Sequence, residues 1–122
     1  MGGRGVKELL IWLLQSFGYP VRLQGTFAKN EKYPESFFTY WVNDSTDGSH
    51  YDNEPIDFIW DFDINFYSSD PNLVKSTLSA VRKLLRDHGF IISGKGHDVA
   101  SDEPTHTGQG INALIMERQE GT

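Results

Sequence analysis

The sequence contains no cysteine. A disulfide framework and thiolate chemistry are both excluded, which fits a reducing compartment. Long apolar runs are missing as well. The longest, at positions 9–14, falls far short of the roughly 20 residues that a membrane-spanning helix needs. The opening Met1-Gly2-Gly3-Arg4-Gly5 leads into no secretory-type apolar segment with a cleavage site. No membrane partner is expected. Positive charge is in deficit, with 11 Lys and Arg against 17 Asp and Glu, a net charge of −6. Holding nucleic acid by bulk electrostatics needs clustered cations, so that class of function is not expected. Nucleophile elbows and Walker loops are absent, and Gly94-Lys95-Gly96 lacks the following helix that a phosphate loop requires. No nucleophile with a base partner can be named, and neither enzymatic activity nor a cofactor is expected.

What is present is 122 residues with 38% hydrophobic and 13% aromatic content. That is enough for a single globular domain with one core, spanning 1–122, with 1–5 and 117–122 expected as flexible tails. The most informative stretch is 57–67. Phe58, Trp60, Phe62, Ile64 and Phe66 occupy its even positions; Asp57, Asp61, Asp63 and Asn65 dominate the odd ones, with Ile59 and Tyr67 as exceptions. Successive strand side chains point to opposite faces, so this predicts a long half-buried strand with one apolar and one acidic face.

Around it the pattern predicts the order α-β-β-β-α-β-β. Val6, Leu9, Leu10, Leu13, Leu14 and Phe17 recur at helical spacing over an arc of roughly 140°, and Gly18 stops the helix. Short strands are expected at 19–23 and 37–42. Asp70 is a natural N-cap and Pro71 a natural first residue for a helix over 72–88, ended by Gly89. Leu73, Val74, Thr77, Leu78, Val81, Leu84, Leu85 and His88 share one face of it; Lys75, Arg82, Lys83 and Arg86 share the other. Strands at 90–92 and 111–116 follow, separated by a polar loop over 93–110. Strands one to three suggest an antiparallel meander, since consecutive strands usually pair. The expected fold is α+β: a two-layer sandwich with a mixed, mostly antiparallel sheet of 4–5 strands and both helices on one face.

Three constellations could carry chemistry. Gly48-Ser49 followed by Asp61-Phe62-Asp63-Ile64 resembles the nucleotidyltransferase pattern, in which two carboxylates on one strand face hold Mg²⁺ against a triphosphate. That family places a helix between the two halves, and Pro55 with the early strand leaves no room for it. A solvated sheet face accounts for the same residues. The run from Asn43 to Glu54 brushes the calcium-loop pattern, but Asn43 and Ser45 are poor ligands at their positions and a turn-rich hairpin explains it. His50, His88, His97 and His106 lack the spacing of a zinc site, so no metal is expected. Ile11, Trp12, Trp41, Ile59 and Tyr67 exceed what one core needs. Aromatics are enriched where subunits meet, which makes subunit contact the sharper expectation.

Tyr33-Pro34-Glu35-Ser36-Phe37-Phe38 leading into a strand, the opening helix, the strand 57–67 running through Asp70-Pro71 into a helix, and Gly89-Phe90 before the last strands together resemble the tail terminator (tail completion) proteins of long-tailed bacteriophages. The resemblance is one of layout and covers most of the chain. It implies a structural virion protein, phage- or prophage-encoded, located in the virion tail after assembly in the host cytoplasm. It further implies a homo-oligomeric ring, usually a hexamer, that caps the tail tube and joins it to the head. The partners would be further copies of the chain, the tail tube protein and head-completion or neck proteins, with DNA passing through unbound. A neighbouring neck or adaptor protein shares this layout, and the nucleotidyltransferase using Asp61 and Asp63 is the alternative from another class. Rings join unlike patches. The candidates are Ile11, Trp12, Trp41, Ile59, an acidic strand face (Asp57, Asp61, Asp63) and a basic helix face (Lys75, Arg82, Lys83, Arg86).

Overall fold

A computed structural model describes residues 5–27, 31–43, 46–47, 56–94, 96–101 and 103–118. The chain runs α1 (Val6–Gln15), β1 (Val21–Leu23), β2 (Ser36–Val42), β3 (Thr46–Asp47), β4 (Ile56–Ser68), α2 (Pro71–Asp87), β5 (Ile91–Ile92), β6 (His97–Val99) and β7 (Thr107–Arg118). The sheet path is β1-β2-β4-β7-β5. β3 extends the line of β2 along β4, and β6 extends the line of β5 along β7. All pairings are antiparallel except that of β1 with β2. The fold is α+β, with both helices on one face of the sheet.

Local sequence chemistry accounts for the main elements. In β4 the even side chains Phe62, Ile64 and Phe66 are fully buried under the helices, where β2 adds Phe38 and Tyr40 and β7 adds Ile111 and Ala113. α2 starts where Asp70 Oδ1 accepts the backbone N–H groups of Asn72 (3.0 Å) and Leu73 (3.4 Å), with Pro71 in its first turn. It ends at Gly89, whose φ of +91° suits a residue without Cβ. Val74, Leu78, Val81 and Leu85 seat it on the sheet, and Leu10, Leu13 and Leu14 of α1 complete the layer. Each fully buried side chain of this size contributes about 1.5–3 kcal/mol.

Three expectations are corrected. β1 pairs with β2 in parallel, not as part of a meander. The 24–35 connection is long enough for the return crossover of about a dozen residues that parallel neighbours need. The polar stretch 93–110 is not one loop. It contains β6 and the first part of β7, which pairs with β4 from Thr107 to Arg118. Its glycines and polar side chains gave no alternation to read. Finally, Glu117 and Arg118 belong to β7 and not to a tail.

Candidate functional site: the outer face of the sheet

The face turned away from the helices carries the odd residues of β4. Register sets its rows. Tyr67 lies beside Phe37 and Gly108; Asn65 beside Thr39 and Gly110; Asp63 beside Trp41 and Asn112; Asp61 beside Leu114; Ile59 beside Met116; and Ile91 continues the Leu114 row. This face divides into two unlike halves.

The half near Tyr67 is covered by the chain itself. Phe27 and Tyr33 come from 24–27 and 31–35, the described parts of the strap between β1 and β2, and stack at 4.7 Å between ring centres. Phe27 meets Phe37 edge-on at 5.0 Å, and Phe37 stacks on Tyr67 at 5.1 Å. His106 closes the cluster. Its ring lies 6.0 Å from Phe37, and its Nε2 is 2.8 Å from the Pro34 carbonyl oxygen. Arg22 ties the strap down at its other end. The guanidinium sits 4.3 Å from the Phe27 ring centre, donates to Glu31 at 2.8 Å and also donates to the Thr26 carbonyl. The Glu31 hydrogen bond, aided by its charge, raises the Arg22 pKa above its ordinary value. Phe37 is therefore buried although it faces away from the helix layer.

No described segment crosses the other half. Trp41 is 46% exposed, Ile91 51% and Met116 43%, with Ile59 and Leu114 half-buried between them. Set into this apolar surface are Asp61 and Asp63. Asn112 Nδ2 donates to Asp61 at 2.6 Å and to Asp63 at 3.2 Å, and Asn43 Nδ2 donates to Asp61 at 3.0 Å. Both carboxylates thus accept from Asn112 of β7, and Asp61 accepts also from Asn43 just past β2. Among the described residues no three His, Cys, Asp or Glu side chains gather as a ligand set. Gly48, Ser49, His50 and Glu54 lie outside the described residues, as does the side chain of Asp57.

The remaining candidates separate. Ile59, Asp61 and Asp63 share one surface, as the alternation along 57–67 predicted, and the pairing of β2 with β4 adds Trp41 to it. Ile11 lies apart from them on α1, half-buried against the core. Trp12 is 50% exposed on the helix layer. On α2, Lys75 is exposed and Lys83 pairs with Asp87 at 3.3 Å. Arg82 is half-buried with its Nε enclosed, and Arg86 reaches the Ile92 carbonyl at 3.5 Å. His88 is exposed at the end of α2, its Nδ1 3.0 Å from the Leu84 carbonyl oxygen, not part of the apolar stripe. Sequence reasoning missed Ile91, Met116, Asn43 and Asn112. Only the pairing of β7 with β4 and β5 shows which face Ile91, Met116 and Asn112 share, and only the hydrogen bonds to Asp61 place Asn43 beside them. No protein-family model matches the chain, and no curated protein matches it.

Proposed function

We propose that this chain is a structural virion protein that forms a ring on the end of a tail tube, as bacteriophage tail terminators do, and joins tube to head. The observation that carries this reading is the pair of unlike surfaces on opposite layers. The outer sheet face combines exposed Trp41, Ile91 and Met116 with the amide-held carboxylates of Asp61 and Asp63. The helix layer presents Lys75, Arg82, Lys83 and Arg86 along α2. An acidic, apolar face meeting a basic one is a heterologous contact, and heterologous contacts that close generate rings. Charge complementarity sets the register of such a contact, while the aromatic and apolar side chains supply most of its energy. The carboxylate pair takes the role of a preset partner for cations.

The test is charge reversal on each surface separately. Lys75→Glu with Lys83→Glu reverses the exposed lysines and leaves in place Arg82, which is half-buried, and Arg86, which reaches the Ile92 carbonyl. Asp61→Lys with Asp63→Lys reverses the sheet. Each variant is expected to fold by circular dichroism yet to lose ring formation on tail tubes in electron micrographs. Mixed in equal amounts, the two are expected to restore rings of alternating subunits, because each reversed helix then meets a reversed sheet. Normal rings from either variant alone, or no assembly of the wild type with tubes present, overturns the reading.

A further inference from the structure

The covered half of the outer face is not completely filled. Between the strap and the segment at 100–101 lies a cavity of about 370 Å³. Its walls are the rings of Phe27, Tyr33, Phe37 and Tyr67, and Thr39 also lines it. None of its described lining residues is charged. Thr39 is only 5% exposed, and its Oγ1 has no hydrogen-bond partner. Buried hydroxyls are nearly always paired, and a valine would fill the same strand position without the desolvation cost. Ser101 differs, since its Oγ already exchanges hydrogen bonds with the Glu103 backbone. The volume falls in the range of small-molecule sites, which combine aromatic walls with a few polar groups that fix orientation.

We infer that this cavity binds a small, uncharged planar ring bearing one hydrogen-bonding group, with the ring among the four aromatic side chains and the polar group on Thr39 Oγ1. Aromatic walls favour stacked and edge-on contact with such a ring. The lack of charge in the lining disfavours an ionic ligand, whose desolvation nothing there would offset. This site stands apart from the assembly surfaces and does not depend on the ring reading. Such a ring arrives either free or as the tyrosine side chain of a partner.

The experiment is a titration of the full isotope-labelled chain, followed by nuclear magnetic resonance, with 4-methylphenol and in parallel with N-acetyl-tyrosinamide. Saturable shifts are expected at the amides of Phe27, Thr39, Tyr67 and Ser101. Thr39→Val, which keeps the volume and removes the hydroxyl, is expected to weaken binding by about tenfold. Thr39→Ser, which keeps the hydroxyl, is expected to stay within about twofold of the wild type. Phe27→Ala removes a wall from the strap and is expected to abolish saturation while the core signals persist. Saturation by either probe upholds the cavity and tells the free ring from the side chain. Saturation by neither, shifts confined to the Trp41 end, or unchanged affinity in Thr39→Val overturns the proposal.

Discussion

The two halves of the outer sheet face are built on the same strands and treated in opposite ways. Near Tyr67 the rings of Phe27, Tyr33 and Phe37 and the imidazole of His106 are drawn together from segments far apart in the chain. Gly108 and Gly110, without Cβ atoms, leave room on the neighbouring strand for the Tyr67 and Asn65 side chains. Near Asp61 there are no such glycines among the described residues, and Leu114, Met116, Ile91 and Trp41 stand out from the sheet, the last three exposed. One half buries its apolar surface in folding; the other leaves it exposed. An apolar patch this concentrated marks an interaction surface more often than chance placement does.

The contrast predicts a gradient of effects. The largest belong to buried rings on either side of the sheet. Phe62→Ala, beneath the helices, should cost about 3–5 kcal/mol, and Phe37→Ala should cost about the same although it faces outward. Urea unfolding of both variants measures this. A cost below about 1 kcal/mol for Phe37→Ala would mean that the strap does not cover that half.

Gly108→Ala comes next. An added Cβ would lie 2.6 Å from the Tyr67 ring and 2.8 Å from Val99 Cγ2, closer than real contacts allow. The ring is held by Phe37, so the clash should cost about 1–3 kcal/mol and should broaden the Tyr67 and Phe37 signals. A neutral Gly108→Ala would show that Tyr67 does not lie over the strand.

The smallest expected effect on stability is Trp41→Ala with Met116→Ala. Both are exposed, so the pair should change unfolding free energy by about 1 kcal/mol or less. On the ring proposal, assembly on tail tubes should nevertheless fail, because exposed aromatics in an interface carry a large share of its energy. Stability loss comparable to Phe37→Ala would erase the distinction between the halves.

Much of the scaffold was legible without coordinates. The alternation at 57–67 is a strict period of two, so Phe62, Ile64 and Phe66 had to share a face whatever they packed against. Asp70, Pro71 and Gly89 mark the ends of α2 through capping and φ preferences that act within one turn. The candidate surface was half legible. Trp41 joins the surface only through its pairing with Asp63, whereas Asp61, Asp63 and Ile59 follow from alternation within β4. Ile91, Met116 and Asn112 do not, because their facing depends on which residue of β4 or β7 lies opposite.

The tertiary structure alone decided three things: that β1 lies parallel to β2, that 93–110 contributes strand, and that the outer face is covered at one end. Each depends on contacts between residues distant in sequence, and such contacts leave no period in the local pattern. Gly108 and Gly110 show the reason most plainly. In sequence they signal a loop, since glycine weakens a strand when considered alone. In the folded chain Tyr67 and Asn65 occupy the space a side chain would take, so a small residue is what that strand position requires.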